Sequence, residues 1–191
     1  YNLSEQLCES LLQFEPVWEN QGIEIDVNLA EGVRISADAE LLSLVWNNLL
    51  SNAIKFTPTG GIINIRVSEK PGLKAETATY EFFIRDNGIG MSKEFQEHIF
   101  DSFSRERTAT ESGIQGTGLG MAISRNIVHL LGGTITLKSA PGKGSEFTVT
   151  LECRLSGRPV RCELLPELKG ARVLVVDDDT DTCMSISKML R

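Results

Sequence analysis

Two asparagines and a lysine share one side of a helix that the sequence predicts over residues 38–56. At about 100° per residue, Asn48, Asn52 and Lys55 form a narrow stripe beside the apolar face, whereas Asn47 lies well off it. Amide oxygens are neutral hard ligands for a Mg²⁺ ion that also holds phosphates, and a lysine one turn away can contact phosphate oxygens. The stripe indicates a metal and phosphate site, but a purely structural polar stripe would have the same pattern.

A carboxylate follows an apolar row. The strand predicted over residues 79–85 directs three apolar side chains to one face, Tyr80, Phe82 and Ile84. Asp86 continues that row and needs a partner if buried. Because an ionised carboxylate can only accept hydrogen bonds, an exocyclic amine such as that of adenine would suit it. Gly88 and Gly90 permit close approach of a flat ligand, although an ordinary Asx turn explains the same residues.

A glycine-rich segment leads into a helix predicted from about Leu119 to Leu131. Its residues are Gly116, Thr117, Gly118, Leu119 and Gly120. Free N–H groups and the helix dipole there would attract phosphate. The segment is not a Walker A loop, because no GK[ST] follows, and no strand immediately precedes it as in a dinucleotide fingerprint. Alone it is weak evidence, and the later GKGSEF is explained by a tight hairpin turn.

Composition restricts the class of protein. The 191 residues allow one substantial domain, or one domain and a fragment. A hydrophobic fraction of 41% and a charged fraction of 24% are typical of globular proteins, and no apolar run approaches the roughly 18 residues of a membrane span. The net charge of −7 argues against nucleic-acid binding, and the scattered cysteines and histidines do not predict a zinc site.

Hydrophobic periodicity predicts an alternation of helices and strands. The predicted helices cover residues 3–20, 38–56, 93–100 and 119–131, and the predicted strands cover 22–29, 62–68, 79–85, 134–139 and 146–152. Residues 104–120 show neither period and are predicted to form a mobile loop. The first domain is expected to end near residue 152, before a linker over 153–170.

Five segments in order resemble the nucleotide-binding boxes of sensor histidine kinases: WNNLLSNAIKFTP, DNGIGM, IFDSFSR, GTGLGMAIS and GKGSEF. The resemblance covers roughly residues 1–152. It implies a Bergerat-type fold, shared with DNA gyrase and the heat-shock chaperone ATPases. That fold is an α/β (α+β) two-layer sandwich, in which a mixed, mainly antiparallel sheet of about five strands packs on three helices.

The resemblance also implies roles for individual residues in binding ATP and Mg²⁺. Asn52 would ligate Mg²⁺, Asn48 would lie close to the γ-phosphate, and Lys55 would contact phosphates. Phe103 would lie on a mobile lid, from which Arg105 would reach the γ-phosphate. The other residues implied to bind the nucleotide are Asp86, Gly88, Gly90, Met91, Gly116, Thr117, Gly118, Leu119 and Gly120.

The type of residue at position 48 bears on the reaction. Water-activating ATPases of this fold have a glutamate where Asn48 stands, and an amide is a poor general base. The resemblance therefore implies transfer to a histidine on a separate dimerisation hairpin. His98 and His129 lack that context, so we expect a monomer that binds ATP without phosphorylating itself. A nucleotide-sensing interaction module and a slow ATPase remain alternatives.

The segment ARVLVVDDDTDTCMSISKML, residues 171–190, resembles the opening strand and helix of a response-regulator receiver domain. Asp177 and Asp178 would be its Mg²⁺-binding acidic pair. This implies a hybrid sensor kinase with a receiver partner. About 20 residues cannot form a sheet of their own, so we expect residues beyond about 153 to be disordered or packed non-natively. The kinase domain is expected in the cytoplasm, without membrane contact, although its parent can be membrane-anchored.

Overall fold

The computed structural model describes residues 2–29, 35–72, 77–104 and 117–154. The described helices are α1 (Leu3–Leu12), α2 (Glu15–Gln21), α3 (Ala39–Phe56), α4 (Lys93–His98) and α5 (Gly120–Leu130). The described strands are β1 (Glu24–Asn28), β2 (Ile62–Pro71), β3 (Thr77–Asp86), β4 (Thr134–Ser139) and β5 (Ser145–Arg154). Arg105, Gly116, most of the predicted linker and the receiver-like segment 171–191 lie outside the described residues.

The strands form one mixed sheet in the order β1-β2-β3-β5-β4. β1 runs parallel to β2, with Glu24 opposite Ile62, and the other pairs are antiparallel. A parallel pair needs a crossover connection, and α3 lies in the connection between β1 and β2. The predicted five-stranded, mainly antiparallel sheet is confirmed.

The core lies between one face of the sheet and a helical layer of α1, α3 and α5. Residues of β3 alternate, so that Ala78, Tyr80, Phe82 and Ile84 are buried on the helical side. Trp46 of α3 is fully buried, and its ring centroid lies 4.8 Å from that of Phe82. The indole N–H donates to Gln6 Oε1 at 3.2 Å, so the one polar atom of this buried ring has a partner.

Helix α3 carries three of the predicted site residues. The Asp38 side chain accepts from the Leu41 N–H at 3.0 Å and caps the N-terminus of this helix. Phe56 near its end is half-buried and borders a cavity. Leu50 and Ile54 are buried in the core, and α1 packs against α3 and widens the buried surface of this helix.

Two predictions for the N-terminal region are wrong in detail. The single helix expected over residues 3–20 is interrupted after Leu12, and Pro16 lies in the first turn of α2, where its missing N–H is not needed. The strand expected over residues 22–29 is shorter, Glu24–Asn28, and its Val27 is 40% exposed. β1 is an edge strand, with a neighbour on one side only. Within the described part of the chain, no helix has both the length and the apolar character needed to cross a bilayer.

Candidate functional site

A cavity of about 350 Å³ lies beside α3. Nine of the predicted site residues line it: Asn48, Asn52, Lys55, Asp86, Gly90, Met91, Thr117, Gly118 and Gly120. Residues that were not predicted also line it: Ser51, Ala53, Phe56, Ile89, Phe95, Ile99, Ser104, Met121, Ser145 and Phe147. The cavity thus has one end at the close of β3, here called the base end, and another at the start of α5, here called the phosphate end.

Asp86 is the polar group of the base end. Its side chain is 5% exposed, and Oδ1 accepts from the Gly88 N–H at 2.8 Å and from the Ser145 N–H at 3.2 Å. Burial raises the pKa of this carboxyl group, and the hydrogen bonds from Gly88 and Ser145 act in the opposite direction. Apolar side chains line the same cavity, including Phe95 and Phe147. One acceptor among apolar walls suits a flat base that carries an amine.

The turn between β4 and β5 supports the base end. The Gly142 N–H donates to the Ile89 carbonyl at 2.7 Å. Gly90 has φ 66°, and a Cβ there would overlap the Ala140 carbonyl oxygen. Gly144 has φ 77°, and a Cβ there would overlap the Asp86 carbonyl oxygen. The GKGSEF segment therefore has a role beyond closing a hairpin, which its turn-like composition alone did not reveal.

Gln96 of α4 joins the loop after β3 to the end of β4. Its Nε2 donates to the carbonyl oxygens of Met91 and Ser139, each at 3.0 Å. Gly88 was predicted to line the base pocket, but it does not border the cavity, since a Cβ there would overlap the Phe56 carbonyl oxygen. Gly88 thus permits close packing of this loop against the end of α3.

The two asparagines connect α3 to the first turn of α5 at the phosphate end. Asn48 Nδ2 donates to the Gly120 carbonyl at 3.1 Å and to Ser124 Oγ at 3.2 Å. Asn52 Nδ2 donates to the thioether sulfur of Met121 at 3.2 Å. A Cβ on Gly120 would lie 3.0 Å from Asn48 Oδ1. The absence of a side chain at position 120 therefore allows the two helices to approach closely here.

The start of α5 has the features expected of an anion site. Among the described residues no side chain caps this helix at Leu119, so its first N–H groups and the positive end of its dipole can attract an anion. Leu119 was predicted to contact the nucleotide, but it occupies the N-cap position and does not line the cavity. Lys55 does line it, with Nζ 5.1 Å from the centroid of the Phe56 ring.

Phe103, predicted to lie on a mobile lid, contacts the phosphate end through its backbone. Its side chain is 72% exposed and does not line the cavity. Its N–H donates to the Gly118 carbonyl at 3.0 Å, and its φ of 66° is unusual for a residue with a side chain. Gly118 has φ 72°, and a Cβ there would lie 2.8 Å from the Phe103 carbonyl carbon. The backbone of Phe103, rather than its ring, braces the phosphate end.

Comparisons with known proteins agree with this geometry. Residues 37–155 match the family described as histidine kinase-, DNA gyrase B- and HSP90-like ATPase. The virulence sensor protein BvgS of Bordetella bronchiseptica is 34% identical over 93% of this chain, and the sensor-like histidine kinase SenX3 of Mycobacterium tuberculosis is 33% identical over 87% of it. The structure of the mycobacterial sensor histidine kinase MprB superposes with a TM-score of 0.64 and 26% identity, covering 81% of this chain and 96% of that one.

The chain spans 15% of BvgS and 40% of SenX3. The shared part contains the cavity, with its buried aspartate, its paired asparagines and its uncapped helix start. The chain therefore belongs to the histidine kinase-, DNA gyrase B- and HSP90-like ATPase family and contains the ATP-binding catalytic domain of a sensor histidine kinase.

Proposed function

We propose that this domain transfers the γ-phosphoryl group of ATP to a histidine on a separate dimerisation hairpin. The observation that carries the proposal is the set of groups at the phosphate end. Among the described residues that line the cavity, Asp86 is the only carboxylate, and it lies at the base end with Oδ1 engaged by two backbone N–H groups. None of these lining groups is placed as a general base for water, which favours transfer over hydrolysis.

Asn48 supports the same conclusion. Its Nδ2 donates to Gly120 and Ser124 and so serves to join α3 to α5. An amide does not accept a proton at neutral pH, so Asn48 contributes by position rather than by acid–base chemistry. Catalysis then depends on orienting the triphosphate and neutralising its charge. A slow ATPase is therefore the second candidate function.

The residues present fit a Mg²⁺ ion. Asn52 commits its amide nitrogen to Met121, which leaves Oδ1, a neutral hard ligand, as the atom for the metal. When bound, the ion would neutralise negative charge on the phosphates. Lys55 lines the same cavity and would contact phosphate oxygens. Arg105, outside the described residues, is proposed to contact the γ-phosphate.

We also propose the setting in which the domain works. The acceptor hairpin belongs to the dimerisation domain of a longer kinase, and residues 171–191 begin a receiver domain in the same polypeptide. The domain itself is proposed to be monomeric and to lie in the cytoplasm, where ATP is supplied, without contact to nucleic acid or membrane. The acidic net charge of −7 supports the absence of a nucleic-acid partner.

The test supplies the missing acceptor. The 191-residue chain is mixed with a histidine-bearing dimerisation hairpin from a relative such as BvgS, together with Mg²⁺ and ATP labelled in its γ-phosphate. We expect label on the hairpin that is stable to alkali and labile to acid, as phosphohistidine is, and none when the acceptor histidine is replaced by glutamine.

Two other outcomes would overturn the proposal in different ways. Calorimetry with a non-hydrolysable ATP analogue, run alongside, measures binding alone. Binding without transfer to the hairpins of several relatives would indicate a nucleotide-sensing module. Release of free phosphate faster than labelling of the hairpin would instead indicate an ATPase.

A further inference from the structure

We infer that Met121 is a positioning residue, which turns the Asn52 side-chain amide so that its oxygen, and not its nitrogen, faces the metal ion. The inference rests on the proposed function, because it needs Mg²⁺ at Asn52. It assigns a task to a residue that does not itself touch the ion. The observation behind it is the hydrogen bond of 3.2 Å from Asn52 Nδ2 to Met121 Sδ.

The geometry of a carboxamide makes this contact informative. The oxygen and the nitrogen are attached to the same carbon and point in diverging directions. The last torsion of asparagine is broad and roughly two-fold, so the two ends exchange places readily unless a neighbour selects one of them. The nitrogen of Asn52 is directed at a sulfur on α5, so Oδ1 points in a different direction from that contact.

Only one of the two orientations can serve a cation. The amide oxygen is a hard ligand of the kind that Mg²⁺ prefers, whereas the NH₂ group carries two donor hydrogens and no acceptor. A flipped amide would present positive hydrogens to a positive ion. The affinity for the metal therefore depends on the population of the orientation that the sulfur selects.

Met121 is suited to this selection by its place and chemistry. It lies in the first turn of α5, is 7% exposed and lines the cavity together with Asn52. Its sulfur is a weak hydrogen-bond acceptor and carries no hydrogen. It can therefore accept from the amide nitrogen of Asn52 but cannot donate to the amide oxygen. Leucine has nearly the same volume as methionine but no acceptor atom. Met121→Leu therefore removes the hydrogen bond from Asn52 and leaves the packing nearly unchanged.

The experiment compares two methionines that line the same cavity. Met91 borders the base end, and its backbone carbonyl accepts from Gln96. The dissociation constant of a non-hydrolysable ATP analogue is measured by calorimetry on the 191-residue chain, once with Mg²⁺ and once with EDTA. The ratio of the two constants reports how much the metal strengthens nucleotide binding.

We expect Met121→Leu to reduce this ratio about tenfold, at the lower end of the effect of losing a partner behind a metal ligand. Binding in EDTA should stay unchanged. Met91→Leu should leave the ratio unaltered, whatever it does to the two constants separately.

A direct readout does not depend on the metal. The side-chain NH₂ signals of Asn52, identified by their absence in Asn52→Asp, should shift in the NMR spectrum of Met121→Leu. An unchanged ratio in Met121→Leu, or equal weakening with Mg²⁺ and with EDTA, would overturn the inference. A ratio near one in the unaltered chain would instead overturn the proposed Mg²⁺ role of Asn52, which separates the two failures.

Discussion

The two ends of the cavity are built by different means. At the base end, backbone segments meet directly: a Cβ on Gly90 or Gly144 would overlap a carbonyl oxygen of the facing segment. At the phosphate end, side chains contribute as well as backbone, since Asn48 and Asn52 each donate from α3 to α5. A backbone framework gives a fixed recognition surface, whereas side-chain amides can change partners by rotation about a single bond. We therefore expect the base end to be the more rigid of the two ends and the phosphate end to rearrange more readily.

The largest effect is expected where two backbone segments meet. Gly90→Ala should lower the free energy of unfolding by about 3 kcal/mol, because a Cβ would overlap the Ala140 carbonyl oxygen at a residue with φ 66°. Gly142→Ala is the matched control, with φ 69° and open space around the added atom. It should lower stability by only about 1 kcal/mol. Urea unfolding measures both, and equal losses would show that the contact between the loops contributes nothing.

The second prediction concerns the carboxylate of the base end. Asp86→Asn keeps an oxygen for the Gly88 and Ser145 N–H groups but turns a donor toward an amine. We expect the affinity for an ATP analogue to fall about 10- to 100-fold, measured by calorimetry. Retained affinity in this variant would remove Asp86 from base recognition.

The same variant should be more stable than the unaltered chain at neutral pH. Burial raises the pKa of Asp86 above its ordinary value of 3.8, so the folded chain binds this proton more tightly than the unfolded chain does. The folded state is therefore favoured most below that value, and stability is lost as the pH rises through the raised pKa. The difference in the free energy of unfolding between Asp86→Asn and the unaltered chain should therefore grow over that pH interval. Urea unfolding at a series of pH values measures this difference. A pH-independent difference would contradict this.

Substitutions of two adjacent asparagines test the role of the phosphate end in transfer. Asn48→Ala removes both hydrogen bonds from α3 to the start of α5, and we expect the rate of transfer to a supplied hairpin to fall about tenfold, with analogue affinity changed less. Asn47→Ala is the control. Asn47 does not line the cavity, and its buried Oδ1 has no hydrogen-bond partner among the described residues. Equal losses in both variants would mean that the helix, and not the Asn48 amide, sets the rate.

The smallest effect is expected at the C-terminal end of α4, the helix that borders the base end. His98 Nδ1 lies 2.9 Å from Asp101 Oδ2, and the hydrogen bond to Asp101 raises the pKa of this exposed histidine. Asp101→Asn should return that pKa toward its ordinary value, which NMR titration measures. Any stability from the pair is complete below about pH 6.5 and is lost as the pH rises through the raised pKa. We expect that change to be small and weaker in salt.

Local patterns predicted the residues that are set by a single helix or strand. The alternation of β3 identified the face on which Asp86 lies, and the helical period of α3 identified the stripe of Asn48 and Asn52. The fold class followed from the order of elements and from the resemblance of the five boxes. These features depend on neighbours a few residues apart, which is the range that periodicity reports.

Residues that reach the site from distant elements were not predicted. Ser145 contributes a backbone N–H, which any residue has, and Met121 was only one apolar position in a helix. Gln96 joins two segments that are more than 40 residues apart in sequence. Phe103 was assigned to the site by its box, but its ring is exposed while its backbone braces Gly118. Such roles depend on tertiary distances, which a local pattern does not contain.

The position of β3 has a consequence for local opening of the domain. β3 is the middle strand of the five, with β2 on one side and β5 on the other, while β1 and β4 form the two edges. Fraying that starts at either edge leaves β3 paired on at least one side, so its amide hydrogens should exchange with solvent only through the rarest openings. Asp86 is the last residue of this strand. The carboxylate proposed to bind the base is therefore attached to the strand that we expect to open last.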